Sequence, residues 1–510
     1  MTPIAPGQID KRKEWIDPTD RPRELHIAGT AIMNDIRSET ETAGAAMRAT
    51  FDAQRSAFAR ESATSLRQRL SDLAKLKDAV EKNADRLAAA ISADFGNRSR
   101  HETEIGEVLP VLAAIRYARR HLRNWMRPKH VAVSLELLPG RARILYQPVG
   151  VVGIISPWNY PFQLAVAPLI AALSAGNRVM LKPSELTQRT ADFLAELLAA
   201  IFPADQVATV LGGPETGQAF AGLPFDHLFY TGSTAVGRLI MQAAAANLTP
   251  VTLELGGKSP CILAEDAMLP GAVESIVYGK LLNSGQTCIA PDYVLLPERR
   301  LDEFIKLAAD TIAKFYPALA ANPDYSSIID ERHYRRLARY VADAKTSGAR
   351  VIEINPGREA LPAEARKLPP TLIIDPPDNL AIMREEIFGP LLPIKTYRGL
   401  DEAIDYVNSH PRPLALYYFG AGRDRRDEVL RRTLSGGASI NTTLFHFAVE
   451  DLPFGGVGAS GIGAYHGEFG FQTFSHRRAV FLQSRVNGAR LLYPPFGRLT
   501  DLVLRLLGRR

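Results

Sequence analysis

Cysteine is scarce in this chain of 510 residues, which contains only Cys261 and Cys288. Two thiols cannot build a disulfide framework, so we expect a reducing compartment and a cytoplasmic location, with a free thiol left for chemistry. The first residues carry a charged cluster, Asp10 to Lys13, without an apolar stretch behind it. We therefore expect no secretory signal.

The chain also lacks a strong excess of one charge, since 61 lysines and arginines face 55 aspartates and glutamates. A net charge of +6 over this length is too dilute to indicate a nucleic-acid groove, so we expect no nucleic-acid partner. The ten histidines show no metal-ligand spacing with cysteines or carboxylates. The sequence therefore predicts no metal site.

One stretch without charged side chains, residues 144–177, is long enough to cross a bilayer. Four prolines divide it into short pieces: Pro148, Pro157, Pro161 and Pro168. Because proline interrupts a helix, we interpret the stretch as buried strand, loop and helix segments of a water-soluble protein.

Strand-like and helical segments alternate from about residue 149 onward, which predicts an α/β fold with parallel, helix-covered sheets of the nucleotide-binding kind. A second series begins with a strand at Val251 to Glu254 and runs to about Ser435, so we expect two α/β domains. Before the first series we predict a mobile leader over residues 1–40 and helices over 46–95 and 102–126.

The strongest chemical pairing in the sequence is Cys288 with Glu254. Cys288 ends a loop of small and polar residues, and Glu254 stands at a strand end before Gly256 and Gly257. A thiol and a carboxylate base suffice for covalent catalysis. The plain alternative is a buried structural cysteine and a capping charge, which is the commoner outcome for a lone cysteine.

Asn159 lies in the loop Pro157-Trp158-Asn159-Tyr160-Pro161, directly after a predicted strand. The carboxyl ends of parallel strands are where such sheets build their sites. With a backbone N–H of the Cys288 loop, the Asn159 amide could stabilise an oxyanion. An asparagine that bonds its own turn remains the alternative.

Other polar groups stand at further strand ends. Gly232, Ser233 and Gly237 lie between a strand and a helix, where backbone N–H groups favour a phosphate, although such glycines also serve turns alone. Lys182 and Glu185 end another strand and could face a dinucleotide ribose or be a solvated loop. Further along the chain, Glu386 with Phe388 could clamp a ribose and a ring, while Phe445 and Phe447 could line an apolar pocket or pack in the core.

Six motifs follow one another in order: Pro157-Trp158-Asn159, Lys182-Pro183-Ser184-Glu185, Gly232-Ser233-Thr234-Ala235-Val236-Gly237, Glu254-Leu255-Gly256-Gly257, Gly285-Gln286-Thr287-Cys288 and Glu385-Glu386-Ile387-Phe388-Gly389-Pro390. Together they resemble the aldehyde dehydrogenase superfamily over residues 50 to 485. Segments such as Gly463-Ala464-Tyr465-His466-Gly467 are similar to its class 3 branch, which includes fatty, aromatic and coniferyl aldehyde dehydrogenases.

The resemblance implies oxidation of an aldehyde, aromatic or cinnamyl or long-chain aliphatic, to its acid through a cysteine thiohemiacetal and thioester. Cys288 would be the nucleophile, Glu254 the general base, and Asn159 an oxyanion donor. The residues implied for the cofactor are Trp158, Lys182, Glu185, Gly232, Ser233, Gly237, Glu386 and Phe388. Those implied for the substrate pocket are Tyr160, Phe445 and Phe447.

Glu185 should repel a ribose 2′-phosphate, so we expect NAD as the cofactor with NADP as the second candidate. Two alternatives stay open: an acylating enzyme that uses coenzyme A, and a non-catalytic binding or structural protein on the same scaffold. The acylating branch typically lacks the glutamate that stands here as Glu254.

The resemblance also implies the organisation of the domains. The expected parts are a dinucleotide-binding domain (41–130 and 147–250), a catalytic domain (251–440), a small β oligomerisation element (131–146 and 465–490) and a tail (491–510). We expect a homodimer. The amphipathic tail could touch a membrane surface, but docking on protein is the preferred interpretation.

Overall fold

Residues 44–61 and 64–508 are described by the computed structural model of this chain. The predicted leader over residues 1–40 lies outside them. Within these ranges, none of the helices combines the length and the apolar character needed to span a membrane. The following description concerns the unit Arg48–Arg510.

The helices cover both faces of two large sheets. Their bounds are α1 (residues 44–60), α2 (Leu66–Phe95), α3 (Arg100–Thr103), α4 (Leu109–Trp125), α5 (Gln163–Ala175), α6 (Gln188–Ile201), α7 (Pro214–Ala221), α8 (Thr234–Ala245), α9 (Leu269–Leu281), α10 (Leu301–Phe315), α11 (Glu331–Thr346), α12 (Ala381–Arg384), α13 (Leu400–Asn408), α14 (Arg423–Arg432), α15 (Gly467–Thr473) and α16 (Arg498–Leu507). A π-helical turn, Glu104–Val108, joins α3 to α4.

The strands form three sheets. Their bounds are β1 (Lys129–Val131), β2 (Arg141–Pro148), β3 (Val151–Ile155), β4 (Arg178–Lys182), β5 (Val207–Thr209), β6 (His227–Gly232), β7 (Val251–Leu255), β8 (Pro260–Leu263), β9 (Tyr293–Pro297), β10 (Arg350–Glu353), β11 (Thr371–Ile374), β12 (Leu391–Tyr397), β13 (Ala415–Phe419), β14 (Gly437–Ile440), β15 (Gly461–Ile462) and β16 (Ser475–Leu482).

The first large sheet has the order β15-β7-β6-β3-β4-β5, and all of its pairs are parallel except β15 with β7. From β3 the chain passes to β4 and β5 on one side, then returns to β6 and β7 on the other. Strand order therefore reverses between β3 and β6, which is where open α/β sheets form a ligand crevice. The charge-free stretch becomes β3 and the wholly buried helix α5 in this region.

The second large sheet has the order β10-β11-β12-β9-β8-β13-β14 and is parallel except for β10. Its core strands are short and apolar, as in Tyr293–Pro297, whose residues are all buried. The α/β fold with two such sheets agrees with the prediction from the sequence.

The division between the sheets differs from the predicted boundary. The sequence places Val251 to Glu254 at the start of the second domain, whereas this strand pairs with β6 in parallel and completes the first sheet. The change of sheet follows at Gly256 and Gly257, before β8 begins at Pro260. At Gly257 an added Cβ would lie 3.2 Å from the Pro413 Cα, so this crossing passes close to another segment of backbone.

Two other predicted elements are also different in the structure. The continuous helix over 46–95 is two helices, and the Ser65 hydroxyl accepts a hydrogen bond from the Gln68 N–H at 3.2 Å to cap the second one. The predicted β oligomerisation element over 465–490 also contains a helix, because α15 extends to Thr473 before β16 starts at Ser475.

A three-stranded antiparallel sheet, β1-β2-β16, joins the predicted ribbon to the C-terminal strand. Arg141 pairs with Leu482 and Pro148 with Ser475, so β2 and β16 match over their full length. Most side chains of β16 are exposed, and β16 forms one edge of this sheet.

A buried ion pair links the N-terminal helices to the first sheet. Arg98 Nη1 lies 3.2 Å from Glu107 Oε1, and both side chains are fully buried. The other Glu107 oxygen accepts the backbone N–H groups of Phe162 and Gln163 at 3.1 and 2.7 Å, at the start of α5. Burial raises the pKa of Glu107 to about 7, and Arg98 opposes that rise. The pair therefore fixes α4 against the N-terminus of α5.

We expect Arg98→Leu to destabilise the protein by about 3–5 kcal/mol, because it leaves the Glu107 carboxylate buried without its charge partner. The measurement is the midpoint of urea unfolding. The matched control is Arg86→Leu, since the Arg86 to Glu196 pair is exposed on both sides and should contribute at most about 1 kcal/mol. Equal shifts in the two variants would contradict a structural role for the buried pair.

Candidate active site

The loop that carries Cys288 connects α9 to β9 and has an unusual backbone. Asn283 and Ser284 have positive φ angles of 52° and 50°, and Gly285 follows with 78°. The Gln286 amide holds this turn, donating to the carbonyls of Asn283 at 3.0 Å and Ser327 at 3.1 Å. Such backbone strain persists only where surrounding contacts fix it, and it is frequent at functional sites.

The Cys288 side chain is half-buried. Burial is the main cause that raises the pKa of its thiol, and the negative charges of Glu386 and Glu254 raise it further. The backbone N–H groups of Cys288 and Ile289 act in the opposite direction on that pKa. The thiol form is therefore favoured until a base removes its proton.

Glu254 lies in β7, paired in parallel with Thr231 of β6 and antiparallel with Gly461 of β15. Its side chain is buried, and neither carboxylate oxygen has a hydrogen-bond partner. Burial raises its pKa well above the ordinary value, which favours the neutral carboxylic acid. An unsatisfied buried carboxyl is costly, and such groups concentrate at sites that use them.

Asn159 is buried in the loop after β3, and its amide donates to the carbonyl of Gln286 at 3.1 Å. The backbone carbonyl of Asn159 accepts hydrogen bonds from the Arg98 guanidinium at 2.8 Å and from the Asn283 side-chain amide at 3.0 Å. The alternative in which Asn159 bonds only its own turn therefore does not describe the structure. Asn159 and the Cys288 loop are held together, with one amide hydrogen still available to a ligand.

A cavity of about 330 Å³ has Cys288 in its wall. All three predicted substrate-pocket residues line it, namely Tyr160, Phe445 and Phe447. Tyr160 lies 2.8 Å from the Thr287 hydroxyl, next to the thiol. Phe447 packs edge-on against His466 at 4.9 Å between ring centres. The wall is otherwise mainly apolar, which suits an apolar substrate.

The predicted cofactor residues of the first sheet lie at the carboxyl ends of β4 and β6. Lys182 is almost fully buried, and its ammonium lies 3.4 Å from the half-exposed Glu185 carboxylate. Burial lowers the pKa of Lys182, and Glu185 opposes this. At the end of β6, Ser233 caps α8, and an added Cβ at Gly237 would lie 2.7 Å from a Leu255 methyl. Helix α8 thus packs closely on β7, with its N-terminus at the crevice.

The other predicted cofactor residues are Trp158, Glu386 and Phe388. Trp158 lies in the loop after β3, and Glu386 and Phe388 lie in the segment between α12 and β12. The rings of Trp158 and Phe388 are 5.3 Å apart and edge-on. Burial is the main cause that raises the pKa of Glu386 to about 8, and Asp292 adds to the rise. The Oε1 atom of Glu386 has no hydrogen-bond partner. The Oε2 atom lies so close to Gly256 that a Cβ added there would be 2.0 Å away. A free buried acceptor beside two rings fits a ribose hydroxyl and a flat ring.

Sequence reasoning assigned no role to the groups that position these loops. Glu102 accepts the Asn283 backbone N–H at 3.0 Å and the Ser326 hydroxyl at 2.5 Å. Lys258 contacts Asp292 and donates to the backbone carbonyl of Ile382 at 2.8 Å. Ile382 lies in α12, four residues before Glu386 in the chain. Only the motif from Asn283 to Cys288 can be identified from neighbouring residues in the sequence. The other hydrogen-bond partners are far apart in the chain, so no local pattern indicates them. Within the described ranges, no group of three or more His, Cys, Asp or Glu side chains could hold a metal ion.

Comparison with known proteins identifies relatives over nearly the whole chain. Residues 26–480 match the model of the aldehyde dehydrogenase family. A coniferyl aldehyde dehydrogenase of Pseudomonas sp. strain HR199 is 49% identical over 449 residues, covering 88% of this chain and 93% of that protein.

Two solved structures have the same fold. Substrate-bound AldH of Staphylococcus aureus superposes with a TM-score of 0.86 at 38% identity, covering 90% of this chain and 99% of the other. A Mycobacterium tuberculosis aldehyde dehydrogenase in complex with NAD+ gives a TM-score of 0.78 at 30% identity, covering 86% and 90%.

Glu386→Gln should lower the pKa of the Cys288 thiol, because it removes one of the two negative charges that raise it. We expect alkylation of Cys288 by iodoacetamide to reach its half-maximal rate at a lower pH than in the unchanged chain. Peptide mass spectrometry follows the label, and the fully buried Cys261 should stay unmodified.

Glu385→Gln is the control for this measurement. Glu385 is exposed and bonds the Tyr340 hydroxyl at 2.6 Å, and it is not among the groups that act on the thiol. The account is wrong if both variants give the alkylation profile of the unchanged chain.

Proposed function

This chain belongs to the aldehyde dehydrogenase family and oxidises an aldehyde to the carboxylic acid with a nicotinamide dinucleotide cofactor, and we propose that its substrates are aromatic aldehydes of the cinnamyl type. The observation that supports this most is the apolar cavity of about 330 Å³ with Cys288 in its wall and aromatic rings around it. A relative with about half of its residues identical is named coniferyl aldehyde dehydrogenase. Long-chain aliphatic aldehydes are the second class that such a cavity suits.

The proposed first step is attack by Cys288. Its sulfur bonds to the carbonyl carbon, and Glu254 in its ionised form accepts the thiol proton. The carbonyl oxygen gains negative charge, which the free Asn159 amide hydrogen and the backbone N–H of Cys288 stabilise. Because the surroundings exclude water, these few dipoles act in a low dielectric.

Two further steps, removal of hydride and hydrolysis, release the acid. The nicotinamide ring, when bound, supplies the acceptor for the aldehyde hydrogen as hydride. Loss of that hydride leaves a thioester on Cys288. After the proton from the first step has passed to solvent, Glu254 takes a proton from a water molecule that attacks the thioester. The carboxylic acid leaves, and the proton held by Glu254 passes to the departing sulfur, which regenerates the thiol.

Residues of the crevice between β3 and β6 are proposed to hold the cofactor. Lys182 and Glu185 suit the adenosine ribose, and the start of α8 with Ser233 suits the pyrophosphate. Trp158, Glu386 and Phe388 suit the nicotinamide ribose and ring. Since Glu185 is an acceptor that would repel a 2′-phosphate, NAD is the proposed cofactor and NADP the second candidate.

We further propose a homodimer and a C-terminal tail that docks on protein in preference to a membrane surface. The exposed edge of β16 carries Phe481 and Leu482, and an unpaired strand edge is a template for a second chain. The tail helix α16 exposes several leucines and carries few cations. One short helix of this kind binds a bilayer weakly, so its proposed contact is protein.

The function is tested by initial rates of NADH and NADPH formation with benzaldehyde, cinnamaldehyde, hexanal and dodecanal. We expect cinnamaldehyde with NAD to be fastest. Cys288→Ala should reduce acid formation to background, and Glu254→Gln should lower turnover by about 10²–10⁴-fold because the base is lost.

Cys261→Ala is the control, because it removes the only other cysteine, which is buried away from the cavity. It should keep acid formation. Retained turnover in Cys288→Ala would overturn the nucleophile. An acyl-coenzyme A product on addition of coenzyme A would favour the acylating alternative instead.

A further inference from the structure

The cavity beside Cys288 has one carboxylate among the described residues that line it, Glu450. Its other lining residues include no lysine, arginine or aspartate. Glu450 is half-buried, and burial is the main cause that raises its pKa to about 7, with a contribution from Asp451. A carboxylate in an apolar wall is costly unless a donor satisfies it.

Within the described ranges, the one donor to the Glu450 carboxylate is the backbone N–H of Gly467. A carboxylate has about four acceptor positions, so capacity remains for a hydroxyl group. The neighbouring Asp451 is engaged differently, because it accepts a hydrogen bond from the Tyr117 hydroxyl and does not line the cavity. The proposed general base, Glu254, does not line this part of the wall either.

His466 lies next to Gly467 in the chain and also lines the cavity. It is nine-tenths buried, and its Nδ1 atom has no hydrogen-bond partner. Burial lowers the pKa of His466 to about 3, so the imidazole is neutral and offers one N–H donor and one acceptor. Its ring stacks on Phe454 at 5.3 Å, and its φ of 88° shows that the backbone is held in a strained conformation.

Glu450 and His466 have polar neighbours that differ from those of the thiol. Polar neighbours of the carboxylate are Gly467 and the pair of Tyr117 and Asp451. The polar neighbours of the loop that carries Cys288 are Tyr160, whose hydroxyl bonds the Thr287 hydroxyl, and Asn159, whose amide donates to the Gln286 carbonyl of that loop. Glu450 and His466 line the same cavity as Cys288, so an aldehyde bound with its carbonyl at Cys288 would have the rest of its molecule in that cavity.

We propose that Glu450 and His466 recognise a hydroxyl group on the aromatic ring of the aldehyde, remote from the carbonyl that Cys288 attacks. The inference rests on the proposed function and adds a specificity-determining pair to it. A phenolic hydroxyl donates its proton to the carboxylate and accepts from the imidazole N–H. Neither an alkyl chain nor a methoxy group can donate, so each leaves the Glu450 carboxylate without that partner.

The test compares kcat/KM for 4-hydroxycinnamaldehyde, 4-methoxycinnamaldehyde and cinnamaldehyde at pH 7. We expect the unchanged chain to prefer the hydroxyl over the methoxy compound by about tenfold or more, because only the hydroxyl donates to Glu450, which is about half ionised at this pH. Glu450→Leu should bring that ratio close to one. Glu450→Gln, which keeps an acceptor without the charge, should give an intermediate ratio.

Asp451→Asn is the matched control, since it changes the adjacent carboxylate that bonds Tyr117, and it should retain the preference. Cinnamaldehyde measured in each variant separates a change of specificity from a general loss of folding. Oxidation of cinnamaldehyde without a preference for the hydroxyl, or a preference that survives in Glu450→Leu, overturns only this inference. If no aromatic aldehyde is oxidised, the proposed function fails and the inference fails with it.

Discussion

One hydrogen bond, from the Asn159 amide to the Gln286 carbonyl at 3.1 Å, joins the loop after β3 of the first sheet to the loop that carries Cys288 beside the second. Its partners are fixed in turn: Arg98 and Asn283 donate to the Asn159 carbonyl, and Glu102 accepts the Asn283 backbone N–H. All these groups are buried, so losing any one leaves another unsatisfied. The relative placement of thiol, amide and crevice depends on this network.

Burial has a second consequence at the thiol, because it acts on three acidic groups together. It favours neutral Cys288, neutral Glu254 and, up to a pH of about 8, neutral Glu386. A site of this kind holds its protons until substrate and cofactor introduce new charge and new hydrogen-bond donors. The proposed covalent step would therefore be coupled to the filling of the cavity and the crevice.

The sequence predicted the alternation of strands and helices that forms the two large sheets, because polar residues bound the apolar runs, as they do in Arg178–Lys182 and Thr371–Ile374. Sequence patterns missed α7 and β8, which are short and lack a clear period, and placed β7 in the wrong sheet because pairing with β6 leaves no local signal. Motifs likewise pointed to Cys288 and Asn159, but not to Gln286 as the bridge between their loops, since 127 residues separate it from Asn159. The polar pair Glu450 and His466 depends on the shape of a cavity, which only the assembled chain defines.

The central claim is that an acyl group is carried on Cys288 during turnover. The most direct measurement is peptide mapping by mass spectrometry after the unchanged chain is mixed with NAD and cinnamaldehyde and quenched in acid at successive times during turnover. The account predicts a cinnamoyl mass increment on the peptide that contains Cys288, and none on the peptide that contains Cys261. An increment on any other residue, or acid formation with no acylated peptide at any time point, would contradict it.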